Sequence, residues 1–298
     1  MTKYTISDLN RDFPNEAACF EYVVSLLYPD GITCRKCKKL RPHHKLTGRP
    51  AMSCGYCRTQ VHPLAGTIFE RTRTPLKHWL YAIYLMASTR CGISAKQLER
   101  ELGVTYKTAW RMFHEVRKLL DDSGNLLTGK VEMDETYYGG EVRGRGKGFT
   151  GNKTLVIGAV QRGGDVRTGK GKRVSHAEIK GFMAQHVSPE VEMIFTDEHP
   201  TYKFLDKTGR HEVVAHKREE WVRGDAHTNS VEGFWSLTKR GIDGVYHSVS
   251  LKHLQSYLNE YAFRYNRRFA PTPMFTAMAE RISEVRLGEL GRYNPIGD

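Results

Sequence analysis

Apolar positions recur at helical spacing in the first half of the chain and at alternating spacing in the second. Ala18, Phe20, Val23, Val24 and Leu27 predict a short helix over residues 15–27. Three more helices are predicted: about Leu76–Ser88, one opening at Ser94 and ending near Leu102-Gly103, and one from about Thr105 to Leu120. Ser94 with Gln97 three residues on reads as a capping box, and Gly103 as a C-terminal stop. Asp121–Asn125 is polar and contains glycine, as linkers are. Beyond it, Lys130–Tyr138, Thr154–Gln161 and Val191–Thr196 read as strands, and about His176–His186, Thr228–Arg240 and Leu251–Tyr265 as helices. A helical first half and an α/β or α+β second half follow. The chain shows no internal repeat. With no run of 18 apolar residues and no apolar core in Met1–Asp8, the expectation is a cytoplasmic protein without a membrane partner.

Charge sharpens this outline. The chain has 46 Lys+Arg against 33 Asp+Glu, a net charge of +13. Such an excess favours a polyanionic partner, nucleic acid first and an acidic membrane surface second. From Gly31 to Phe69 there is no carboxylate, while Arg35, Lys36, Lys38, Lys39, Arg41, Lys45, Arg49 and Arg58 all fall there.

The same stretch holds Cys34-x-x-Cys37 and Cys54-x-x-Cys57. Each pair sets two thiolates on one knuckle, and two knuckles close a tetrahedral Zn2+ site with no open position, which makes it structural. His43, His44 and His62 are possible substitutes, but the four cysteines already fill the shell. Cys19 and Cys91 are left over and read as reduced, buried thiols. The basic residues around the knuckles suggest phosphate contact, against the plainer reading of a solvated face.

Ser94–Lys118 reads as a helix-turn-helix, with Lys107 and Arg111 of the second helix aimed at DNA phosphates and Trp110, Phe113 and Val116 packing inward. A three-helix bundle used only for packing is the alternative.

Three carboxylates stand on separate predicted elements: Asp134 on a strand, Asp197 at the end of another, Glu232 at a helix start. Hard divalent cations take several oxygen ligands, and two of them can clamp both oxygens of an in-line phosphoryl displacement. In a basic chain the natural phosphodiester is DNA. Lys239 follows Glu232 by two helical turns and shares its face, where an ammonium can hold a phosphate. The plainer readings are exposed acids at strand ends and a dipole-favoured acid in a first helical turn. Glu135 alternates away from Asp134, and Glu198 reads as a helix cap or a supporting group.

The glycine-rich stretch Glu141–Glu178 carries Arg143, Arg145, Lys147, Lys153, Arg162, Arg167, Lys170, Lys172 and Arg173. It reads either as a DNA-facing insertion or as a plain surface loop. Tyr246 is a candidate for base stacking, whereas Phe234 and Trp235 read as core.

Taken together, Cys34-Arg35-Lys36-Cys37, Cys54-Gly55-Tyr56-Cys57, Ala65–Glu70, Thr74–Trp79, Val131–Glu135, Phe195–Glu198, His227–Arg240, Tyr246-His247 and Arg264–Arg268 resemble bacterial insertion-sequence transposases of the DDE superfamily, in the ISXO-type group with an N-terminal zinc ribbon. The likeness spans about residues 15–270 and is most specific at His227–Arg240. Arg35 stands where such ribbons often carry proline, and Asn229, the residue type that replaces the third acid in some relatives, stands three residues before Glu232.

The resemblance implies a multi-domain chain: an N-terminal helical segment (1–30), a zinc ribbon (31–70), a helix-turn-helix region (71–125) and an α/β RNase H-like catalytic domain with C-terminal helices (126–298). It implies catalysis by Asp134, Asp197 and Glu232 holding Mg2+, in all two ions replaceable by Mn2+, with Lys239 on substrate and Arg240 on DNA. It also implies cleavage at transposon ends, strand transfer into target DNA, and work in the nucleoid. Joining two ends requires two active sites, so a homodimer or larger assembly on DNA is expected. A non-catalytic DNA-binding regulator and an RNase H-like nuclease without strand transfer are the alternatives.

Overall fold

A computed structural model describes residues 3–122, 124–139, 153–214 and 227–285. The chain forms two compact units, 1–120 with 270–298, and 121–269.

In the first unit, α1 (Ile6–Asp12) and α2 (Glu16–Leu27) precede three short strands, β1 (His43–Lys45), β2 (Met52–Cys54) and β3 (Gln60–Val61), in one antiparallel sheet. Helix α1 was not predicted, although Thr5 and Asp8 form a complete capping box at its start. Asn15 caps α2, and the Glu16 carboxylate reaches forward to accept from the backbone N–H groups of Leu76 and Lys77 at 2.8 and 3.2 Å. It thereby caps α3 (Leu76–Ser88), whose Pro75 offers no side-chain acceptor.

Helices α4 (Ala95–Leu102) and α5 (Tyr106–Lys118) follow. Ser94 accepts from Gln97 N, Gly103 turns the chain at φ +64°, and Thr105 caps α5. The buried face of α5 is Ala109, Met112, Phe113 and Val116, a clean i, i+3, i+4, i+7 stripe. Trp110 is off that stripe. It lies 40% exposed with its ring 3.9 Å from His114, which corrects the expectation that it packs inward. Helix α9 (Met274–Glu284) packs on α2 and α3 through a face with buried Phe275, Met278, Ala279 and Ile282. By its contacts it belongs to this first unit, not to the C-terminal domain in which the sequence places it.

The second unit is built on one five-stranded sheet: β4 (Lys130–Tyr138), β5 (Thr154–Gln161), β6 (Val166–Gly171), β7 (Met193–Asp197) and β8 (His211–Val214), in the order β6-β5-β4-β7-β8. The first three are antiparallel, whereas β7 runs parallel to β4 and β8 parallel to β7. Both faces are covered. Odd positions of β4 and β5, such as Val131, Met133, Leu155 and Ile157, pack with α6 (His176–His186) and a 3-10 helix (Pro200–Thr208). Even positions, such as Tyr138, Val156 and Val160, pack with α7 (Asn229–Gly241), a π-helical turn (Ile242–Tyr246) and α8 (Leu254–Asn266).

Strand β6 corrects the reading of 141–178 as a single loop. It is the edge strand, paired with β5 from Val160–Val166 to Leu155–Gly171. Lys153 is exposed, whereas Arg162 and Arg167 turn inward. Arg143, Arg145 and Lys147 lie outside the described residues. Among the described residues, no helix is long and apolar enough to cross a membrane.

Candidate active site and metal centre

The four predicted thiols meet. The sulfurs of Cys34, Cys37, Cys54 and Cys57 all lie within 4.8 Å of one another, with Cys34 and Cys54 buried. Of the two other cysteines Cys19 is buried, whereas Cys91 is exposed, which corrects the expectation that both are buried. The Cys37 backbone N–H points at Cys34 Sγ at 3.4 Å, as a CxxC knuckle requires. The cluster splits its acidities: Cys57 is lowered to about 6, first by the Thr59 side chain, while the neighbouring Cys57 pushes Cys37 up to about 12. Crowded thiols that compete for protons are the donor set a soft divalent ion neutralises. His43 Nδ1 is 2.8 Å from the Arg41 carbonyl, so one ring nitrogen is already engaged. Among the described residues this is the one group of three or more Cys, His, Asp or Glu side chains packed closely enough to share an ion.

The carboxylates occupy the second unit. Glu132 of β4 is the register partner of Phe195 on the parallel strand β7. Two residues beyond that pair stand Asp134 and Asp197, and the two-residue alternation turns both toward the face covered by α7. Glu232 sits in the first turn of α7, on its exposed side, and accepts from Thr228 Oγ1 at 2.8 Å.

Asp134 senses the other two acids. Asp134 is pushed up to about 7, first by burial, then by the charges of Glu135, Asp197 and Glu232. A half-buried carboxylate whose ionisation is opposed by burial and by its acidic neighbours is the electrostatic condition that a divalent cation relieves. Asp197 Oδ1 also accepts the backbone N–H of His199 at 3.0 Å. Glu135 projects to the other face, where Tyr202 donates its hydroxyl to it. Burial and the Asp197 charge raise it too, against that hydrogen bond. The cap of the 3-10 helix is His199, not Glu198.

Helix α7 is moored to β4 at both ends. At its start the Glu132 carboxylate accepts from Ser230 N (2.7 Å), Val231 N (3.1 Å) and Ser230 Oγ (3.0 Å). At its end Tyr138 and Thr238 share a buried hydroxyl–hydroxyl bond. Between them the six-membered ring edge of Trp235 packs closely on Gly158, the register partner of Asp134. Phe234 and Trp235 are core, as expected.

Lys239 and Arg240 are exposed in the last turn, with Arg240 Nε donating back to Ser236 O. Tyr246, half-buried, donates its hydroxyl to Glu260 and makes an edge-on contact with Tyr257. In the first unit Lys107 is exposed, and Arg111, also exposed, donates to the Glu70 carbonyl at 3.2 Å. The sequence reading missed the roles of Glu132, Gly158 and Tyr202, and it grouped Arg162 with DNA-facing residues, whereas its guanidinium is held by Glu132 and the His227 carbonyl. Glu132 left one signal, a carboxylate inside an apolar strand at even spacing from Asp134.

Residues 126–266 match the ISXO2-like transposase domain, and residues 14–60 match the transposase zinc-ribbon domain. The chain is 26% identical over 274 residues to a Halobacterium salinarum protein named "Uncharacterized protein in transposable element ISH50", covering 85% of this chain and 92% of that one. Solved structures with some similarity include the Mos1 strand transfer complex, at 14% identity and a TM-score of 0.30 over 72% of this chain and 78% of that one. A pre-cleavage Mos1 transpososome matches at 12% identity and a TM-score of 0.28 over 95% and 99%. At such scores the overall likeness is weak.

Proposed function

We propose that this chain, which carries a transposase zinc ribbon ahead of an ISXO2-like transposase domain, is a DNA transposase that cuts at the ends of its element and joins them to a target. The observation that carries this reading is that β4, β7 and α7 bring Asp134, Asp197 and Glu232 to one face of the sheet, where burial first, then the charges of Glu135, Asp197 and Glu232, push Asp134 up to about 7. The antiparallel β6-β5-β4 set extended by parallel β7 and β8 supports an RNase H-like catalytic domain.

The three carboxylates would hold divalent cations, Mg2+ with Mn2+ as substitute. When bound, such ions polarise a phosphodiester and make an attacking oxygen more nucleophilic. In the first reaction water attacks phosphorus at an element end. One P–O bond forms, one breaks, and a 3′-hydroxyl is freed. In the second that hydroxyl attacks a target phosphodiester in line, and its proton leaves to solvent. Each reaction exchanges one P–O bond for another, so one site serves both. Lys239, on the exposed face that carries Glu232, positions substrate phosphate. Cys34, Cys37, Cys54 and Cys57 hold structural Zn2+. Helices α4 and α5 form a helix-turn-helix that presents Lys107 and Arg111 to DNA, and Lys153 and Arg240 add basic contacts. Two ends must be joined together, so the working form on DNA is a dimer or larger.

The test is cleavage of end-labelled element DNA by wild type and by Asp134→Asn, Asp197→Asn and Glu232→Gln. Each variant should lose metal-dependent cleavage while still binding ends. Retained cleavage in all three would sink the proposal. Cleavage without joined products would favour a nuclease.

A further inference from the structure

Glu132 is fully buried, yet it makes no contribution to the hydrophobic core. Its two oxygens accept from a ring of donors: the backbone N–H groups of Ser230 and Val231, the Ser230 hydroxyl, and Arg162 Nε at 2.7 Å; His227 Nδ1 lies 3.1 Å from Oε1 without a hydrogen bond. An ionised carboxylate is acceptor-only and can satisfy this many donors, whereas an amide would turn its own N–H groups against them. The same Arg162 donates to the His227 carbonyl at 2.9 Å and stacks 4.0 Å above the Phe195 ring.

These contacts touch every element that carries an acid. Glu132 is two residues from Asp134 on β4, and Phe195 is two residues from Asp197 on β7. Ser230 and Val231 immediately precede Glu232 on α7. The cap is also non-local. Thr228, at the N-cap position, makes no side-chain cap bond, and its hydroxyl goes to Glu232 instead. The orphan N–H groups of the first turn are therefore satisfied from a strand 98 residues earlier in the chain.

We propose that Glu132 is the positioning residue of the carboxylate site: with Arg162 as its clamp, it fixes the α7 N-terminus, and so Glu232, at a set distance and rotation from Asp134 and Asp197. It touches neither substrate nor ion and acts through the residues it holds. This rests on the three acids being a divalent-cation site. Outer residues that orient metal ligands typically contribute 10–100-fold to metal affinity or activity.

The experiment is Mn2+ binding to the full chain, followed by electron paramagnetic resonance of free Mn2+, for wild type, Glu132→Gln and Ser230→Ala, with Asp134→Asn as control. Circular dichroism and zinc content verify folding. Glu132→Gln should weaken Mn2+ binding about 10–100-fold, and Ser230→Ala, which removes one donor only, should weaken it less, with end binding unchanged for both. A folded Glu132→Gln protein with wild-type Mn2+ affinity overturns the proposal. If Glu132→Gln does not fold, Ser230→Ala decides: weakened Mn2+ binding supports it and unchanged binding overturns it. Failure of the cation-site reading is distinguishable, because wild type and Asp134→Asn would then bind Mn2+ alike.

Discussion

Trp235 lies so close over Gly158 that a Cβ placed there would stand 2.7 Å from its Cη2 and closer still to its Cζ2. Gly158 pairs in register with Asp134, and Trp235 is one helical turn past Glu232. The missing side chain therefore sets how near α7 approaches the sheet at the site. Gly158→Ala should destabilise the second unit by about 1–3 kcal/mol, as overpacking does, and should reduce end cleavage. The double variant Gly158→Ala/Trp235→Leu should recover part of both, measured by thermal unfolding and a cleavage assay. A single variant with wild-type stability would show that the contact is slack.

The raised pKa of Asp134 makes stability depend on pH. Its carboxyl holds a proton up to about pH 7 when folded and only to about pH 4 when unfolded. Between those values the folded state binds the extra proton, so the stability it contributes is full below about pH 4 and is lost as pH rises through 7. In EDTA, Asp134→Asn should thus raise the melting temperature by several degrees at pH 8 and change it little near pH 4. Mg2+ or Mn2+ should stabilise wild type at pH 8 and leave the variant unmoved. A variant less stable than wild type at pH 8 would contradict this electrostatic account.

The thiol cluster predicts one tightly held zinc per chain. Cys34→Ser or Cys54→Ser, each at a buried sulfur, should lose the zinc and unfold the three-stranded ribbon, because the site's binding free energy is part of its folding free energy. Zinc analysis with proteolysis around residues 31–70 checks both. Full zinc content in either variant would mean that a different residue completes the shell.

Basic residues sort into two kinds. Arg167 is 4% exposed, and its guanidinium donates to the Asn125 and Val166 carbonyls and to Asp165. Arg167→Ala should cost about 2–4 kcal/mol of stability, as loss of a buried charge network does, with the salt dependence of DNA binding unaltered. Lys107→Ala should leave stability alone and reduce the slope of log affinity against log salt by about 1, the signature of one phosphate contact. An unchanged slope would remove α5 from the DNA interface.

Much of this was legible locally. Strong helical periodicity fixed α4 and α5, CxxC spacing fixed the thiol quartet, and β-rich apolar runs fixed β4 and β5. Strand β6 was hidden because Arg167, Gly169, Lys170 and Gly171 carry little β-propensity; pairing along β5 supplies what local preference does not. Trp110 was misread because size suggested burial, whereas the 100° advance per residue sets it outside the 109-112-113-116 stripe. The role of Glu132 was out of reach, because its partners Ser230 and Val231 lie about a hundred residues away and only the packing of α7 against β4 brings them together. The docking of α9 onto α2 and α3 is non-local in the same way.

The most direct measurement is strand transfer in vitro, with purified protein, labelled DNA carrying the element's two ends, and a target plasmid. Mg2+ should yield nicked ends and then joined products, and both should vanish in EDTA and in Glu232→Gln. Joined products that persist in Glu232→Gln, or tight end binding with no cleavage in any metal, would contradict the assignment of Asp134, Asp197 and Glu232 as the catalytic centre.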